Sequence, residues 1–121
     1  MPKLLVIDDE PGILEMLRSH FSLRGYEVLT AMDGLEGWGV LESEQPDVVL
    51  LDLKMKKLDG DRFLRQVREK NLPTKVLVIT GFQDDALRDR VQKLGVDAFL
   101  EKPASIIELQ KKIQELTAVP K

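Results

Sequence analysis

Three carboxylates and a hydroxyl stand directly after runs of aliphatic residues in this chain. Leu4-Leu5-Val6-Ile7 opens onto Asp8 and Asp9, Val48-Val49-Leu50-Leu51 onto Asp52, and Val76-Leu77-Val78-Ile79 onto Thr80. An apolar run without polar alternation marks a strand covered on both faces, as in the middle of a parallel sheet. Such strands deliver the residues that follow them to one edge, and in an open α/β sheet the carboxyl edge is where ligands bind. Acids gathered there repel one another unless a cation or a lysine compensates. Mg2+ answers that need: it takes oxygen ligands at about 2.0–2.1 Å, keeps several waters and uses one or two protein carboxylates plus phosphate oxygens.

Each acid alone has a structural explanation, Asp8-Asp9 as helix caps and Asp52 as a turn residue bonding its own backbone. Taken together they suit phosphoryl chemistry. Lys102 offers a point charge for a carboxylate or a phosphoryl oxygen, and Thr80 offers a hydroxyl that can donate to one. Asp52 can itself be the nucleophile, since carboxylates take phosphoryl groups to form aspartyl phosphates. The added group carries about −1.5 to −2 charges, enough to draw Thr80 and its loop inward and disturb the packing nearby.

The elements that must hold these residues follow from pattern. Pro11 opens a first helix with Ile13, Leu14, Leu17, Phe21 and Leu23 on its apolar face and Gly25 as its left-handed stop. A strand over Tyr26–Thr30 follows, and Asp33 with Glu36 caps a second helix. Gly37-Trp38-Gly39 lies within that helix, and each interior glycine costs about 1 kcal/mol relative to alanine, so it is expected to be the softest. Pro46-Asp47 precedes the central strand, and Asp59-Gly60 begins a third helix carrying Phe63, Leu64 and Val67. A fourth helix spans roughly Asp84 to Leu94, with Leu87, Val91 and Leu94 as its narrow stripe, ahead of a strand at Ala98-Phe99-Leu100. Ser105 and Glu108 cap the last helix, whose buried face is Ile106, Leu109, Ile113 and Leu116. Strand and helix alternate throughout, which implies a doubly wound α/β fold: a parallel sheet with helices on both faces.

The 121 residues fit one domain, read as residues 1–121 with no output domain in this chain. There are no cysteines, which excludes disulfides and thiolate metal sites. No apolar run approaches the roughly 20 residues of a membrane span and the N-terminus has no signal-peptide layout, so a cytoplasmic protein without membrane contact is expected. Net charge is −3, with 18 basic and 21 acidic residues interspersed, which argues against direct nucleic-acid binding.

The motif set resembles the receiver domain of bacterial two-component response regulators along essentially the whole chain. The likeness rests on Asp8-Asp9, Asp52, Asp59-Gly60, Thr80 and Lys102-Pro103, each in its proper strand context. The resemblance implies a flavodoxin-like sheet in the order 2-1-3-4-5, with the acids at the switch point between the first and third strands. It implies Mg2+ held by Asp9, Asp52 and the main-chain carbonyl of Lys54, with Asp8 helping through water. It makes Asp52 the acceptor of a phosphoryl group from a histidine, Lys102 the residue that holds that group, Thr80 and Phe99 the switch, and Lys102-Pro103 a cis peptide. It implies a signalling phosphoprotein that catalyses its own phosphorylation and dephosphorylation and is not an enzyme on external substrates. A sensor histidine kinase or a histidine phosphotransfer protein of a phosphorelay would dock near Asp52 through the first helix, where Glu15, Arg18 and Ser22 are exposed. Output would use the face of the fourth helix, fifth strand and fifth helix, which carries Arg88, Asp89, Lys111 and Lys112; those charges do not closely match the winged-helix transcription-factor subgroup.

The chain departs from the family pattern at Lys56, where proline usually follows Met55, at Gly37, where alanine is usual, and at Ala104, where an aromatic residue commonly follows Lys-Pro. Lys54 and Phe82 lie two residues beyond Asp52 and Thr80, where they either overhang a phosphoryl group and exclude the attacking water, giving a long-lived phosphoaspartate, or are simply two solvated side chains. Phe99 also reads as core between the last two helices, Trp38 as packing, and Lys56-Lys57 as a solvated loop. Two other function classes compete. A Mg2+-dependent phosphohydrolase would want a second aspartate where Lys54 stands, and an unphosphorylated binding module would have no need of the full residue set.

Overall fold

The computed structural model describes residues 1–53, 59–80, 85–101 and 105–117. Its strands are β1 (Lys3–Ile7), β2 (Glu27–Ala31), β3 (Val48–Leu53), β4 (Lys75–Thr80) and β5 (Ala98–Glu101). After each strand comes a helix: α1 (Pro11–Ser22), α2 (Gly34–Glu44), α3 (Asp59–Glu69), α4 (Asp85–Leu94) and α5 (Ile106–Thr117). All strand pairs are parallel and the sheet order is β2-β1-β3-β4-β5, the doubly wound arrangement expected.

The inner strands are apolar on both faces because both faces are covered. Leu5, Ile7, Val49, Leu51, Val76 and Val78 join Leu41 of α2, Phe63, Leu64 and Val67 of α3 and Val91 of α4 in one core. The alternate residues Leu4, Val6, Val48, Leu50, Leu77 and Ile79 meet Leu14, Leu17 and Phe21 of α1 and Leu109 and Ile113 of α5 in another. Strand side chains alternate between faces, so one continuous hydrophobic run serves two cores. Fully burying a side chain such as Phe63 contributes about 1.5–3 kcal/mol.

The helix ends follow the capping residues. Asp33 accepts the Glu36 amide at 2.8 Å, and the Glu36 carboxylate reaches back to the Met32 amide at 3.3 Å, one residue short of a standard capping box. Ser105 and Glu108 form the reciprocal box in full, at 3.1 and 3.2 Å. Gly25 has φ +89°, the left-handed turn anticipated after α1. Leu23, expected on the buried face of α1, instead lies past the helix and is 84 % exposed, because the apolar stripe ends at Phe21. β2 likewise starts one residue later than expected. The amide of Tyr26 bonds the Phe21 carbonyl, while its ring packs edge-on against Phe21 and its hydroxyl pairs with Thr117 of α5 at 3.2 Å.

Candidate functional site

The site is set by the register of the two central strands. Ile7 of β1 pairs with Leu51 of β3, so the residues that follow, Asp8 and Asp52, come side by side at the carboxyl edge. Ile7 and Leu51 both face the α2, α3 and α4 side, and strand alternation therefore directs Asp8 and Asp52 to the other side, toward α1 and α5. β1 leads to β2 on one flank and β3 lies on the other, which makes this the switch point of the sheet.

Local hydrogen bonds fix the acids. The Asp8 amide donates to the Ala31 carbonyl at 3.1 Å, extending the pairing of β1 with β2. Oδ1 of Asp8 accepts the Glu10 amide at 2.9 Å, an Asx-type turn that bends the chain into α1. Asp8 is buried, Asp9 is exposed at the tip of that turn, and Asp52 is half-buried with its Oδ1 shielded from solvent. The bond from the Glu10 amide to Asp8 is not anticipated in the sequence, because the donor is main chain.

Thr80 ends β4 with Leu53 opposite it on one side and Glu101 of β5 on the other, so the ends of β3, β4 and β5 share this edge. Phe99 pairs with Val78, is half-buried and packs against the core beneath α2, α3 and α4. Lys54, Lys56, Lys57, Phe82, Asp84, Lys102, Pro103 and Ala104 lie outside the described residues, as do the side chains of Thr80, Leu87 and Arg88. The expected carbonyl ligand, phosphoryl-holding amine and cis peptide therefore fall outside them too. Trp38 packs edge-to-face on Phe63 at 6.1 Å, as packing rather than ligand binding would have it.

The donor set suits a hard cation: hard oxygen donors on adjacent strand ends, one carboxylate buried and one half-buried, with a third at the rim. Among the described residues, no three acidic or histidine side chains are drawn together into a closed metal-binding group. An ion here would complete its shell with water, main-chain or phosphate oxygens, as Mg2+ commonly does.

The model of the response regulator receiver domain matches residues 4–114. The chain belongs to this family. Among curated relatives, the receiver domain is 39% identical over 115 residues to a probable transcriptional regulator, ycf27, of Cyanophora paradoxa, covering 94% of this chain and 47% of that protein. It is 33% identical over 114 residues to the alkaline phosphatase synthesis transcriptional regulatory protein PhoP of Bacillus subtilis, covering 94% and 48%. The receiver domain thus spans about half the length of these relatives. Among solved structures, a Francisella response regulator receiver domain superposes with a TM-score of 0.86 at 31% identity over 96% of both chains. A CheY-like receiver domain protein from Methanospirillum hungatei gives 0.88 at 27% identity, over 95% of this chain and 92% of that one. This receiver domain is of the two-component signalling type. Among the described residues, no helix is long and apolar enough to cross a membrane.

Proposed function

We propose that Asp52 of this receiver domain accepts a phosphoryl group from the phosphohistidine of a sensor kinase or phosphotransfer protein. The observation that carries this reading is the register that sets Asp52 beside Asp8 on one face of the switch point. An oxygen of Asp52 attacks phosphorus, the P–N bond breaks, and the imidazole leaves with the electron pair, giving an acyl phosphate. Asp9 and Asp52, with the Lys54 carbonyl, would hold Mg2+, and Asp8 would contribute through water. Bound there, Mg2+ offsets the negative charge on the phosphoryl oxygens and the carboxylate. Asp8 is kept in place for its part by the Glu10 amide. Lys102 pairs with the transferred group, and Thr80 donates its hydroxyl to it.

Phosphorylation then acts through Thr80 and Phe99, which lie near the same edge on neighbouring strands, to change the surface formed by α4, β5 and α5. We assign residues 1–121 to the receiver alone, with output passing through that surface to another domain or protein and no contact of its own with nucleic acid. The phosphodonor docks over α1, where Glu15, Arg18 and Ser22 are exposed.

The test is intact mass after incubation with a small-molecule phosphodonor and Mg2+, for the native chain and for Asp52→Asn. One phosphoryl group should add to the native chain, require the metal and be missing from the variant. If the native chain takes up nothing, the assignment gives way to a binding module that works without phosphorylation.

A further inference from the structure

We infer that Gly37 of α2 is a positioning residue for the acidic pair, acting through Ile7. Gly37 is buried against β1: a Cβ built on it would run into Cδ1 of Ile7, and would lie 3.0 Å from Ile7 Cγ1 and 3.5 Å from Phe63 Cε2. Ile7 is the last residue of β1, immediately before Asp8, and is itself only 4 % exposed. Interiors are close-packed, so a methyl group added at Gly37 has to move something. Phe63 backs the same spot from α3, and Trp38 packs edge-on against Phe63. The yielding part is therefore Ile7. Its Cδ1 can swing on χ2, but Cγ1 is also crowded and sits one bond from Cβ, so relief draws on the backbone of Ile7 and with it the adjoining Asp8-Asp9 segment. The Asp8 amide is bonded to Ala31 of β2 and its carboxylate to Glu10, so a shift there tilts the whole β1–α1 turn. The absence of a Cβ at Gly37 lets α2 lie deep enough for an isoleucine to fill position 7.

Gly39, two residues on, is the internal control: it belongs to the same helix, and a Cβ there meets nothing within 4 Å. This inference rests on the proposed Mg2+ site, and its test keeps the two apart. Mg2+ affinity is measured by NMR titration of amide shifts for the native chain, Gly37→Ala, Gly39→Ala and the double variant Ile7→Val with Gly37→Ala. Gly37→Ala should weaken Mg2+ binding by about tenfold, the low end of the loss seen when the support of a metal ligand is disturbed. It should also move the metal-free Asp8 and Asp9 amide resonances. Gly39→Ala should do neither, and Ile7→Val, which removes the colliding Cδ1, should restore affinity to the Gly37→Ala chain. A change in thermal midpoint with unaltered Mg2+ affinity and unmoved Asp8 and Asp9 resonances would reduce Gly37 to a packing residue and overturn the inference. If the native chain binds no Mg2+, the metal site itself falls and the inference falls with it.

Discussion

Asp97 ties three parts of the fold together with one carboxylate. Its Oδ2 accepts the Val76 amide at 2.7 Å and Arg68 Nη2 at 2.9 Å, while Arg68 Nε donates to the Gly95 carbonyl at 2.6 Å. The partners differ in consequence. Val76 is fully buried, so Asp97→Ala leaves an amide without its acceptor and should cost about 1–3 kcal/mol. Arg68 reaches solvent, so Arg68→Ala should cost less, about 1 kcal/mol. Urea unfolding of both variants checks the order, and an Arg68→Ala loss equal to or larger than that of Asp97→Ala would place the energy in the ion pair instead. In the sequence, Lys54 and Phe82 lead to a second prediction from their spacing after Asp52 and Thr80. Lys54→Asn combined with Phe82→Ala should shorten the phosphoaspartate lifetime, followed as loss of the phosphorylated mass with time; an unchanged rate removes their shielding role. Asp8 and Asp52 were legible in the sequence because an uninterrupted apolar run has an obvious end, and the charge after it has nowhere to go but the edge. The bond from Glu10 to Asp8 was not, since a main-chain amide carries no sequence signature.

At the scale of the element, α2 stands apart. Its buried residues are only Gly37 and Leu41, whereas α1 buries Leu14, Leu17 and Phe21. It also ends on Gln45 in the left-handed region, φ 49°, where glycine would be unstrained. Few bulky buried side chains offset the helix-propensity cost of its two interior glycines. Gly39→Ala should therefore stabilise the chain by about 0.5–1 kcal/mol, because the site is open and alanine is the better helix former. Native-state amide exchange should run faster in α2 than in the other helices and slow in that variant. Equal exchange across the helices would show that α2 is held by the sheet despite its composition. The two caps, Asp33 and Ser105, were readable from residue spacing because the interaction is local. Errors appeared where a contact between distant segments decided the boundary. Leu23 lies off the stripe of Leu14, Leu17 and Phe21 at 3.6 residues per turn and has no partner surface, and Tyr26 was claimed by Phe21 and Thr117 before it could enter the strand.

For the whole molecule, the sheet is the shared wall of two cores, and that arrangement predicts how the chain unfolds. A helix between successive strands makes the pairing parallel, but periodicity alone does not order the strands; the order 2-1-3-4-5 came from family resemblance and is the order found. β1, β3 and β4 each place alternate residues in both cores, so loss of the α1 and α5 layer uncovers strands on which the α2, α3 and α4 layer also depends. Phe21→Ala opens a cavity in the first of these layers at a fully buried position and should cost about 3–5 kcal/mol. That is a large share of the roughly 5–15 kcal/mol that stabilises a typical domain. Trp38, the sole tryptophan, packs on the opposite core against Phe63 and reports that side alone. If the sheet couples its faces, the Trp38 emission transition in guanidinium chloride moves to lower denaturant together with the far-UV dichroism, and the two curves coincide. A Trp38 transition that stays at its native midpoint while the dichroism falls earlier would mean the faces melt separately, and the sheet would then be a seam between two independent layers.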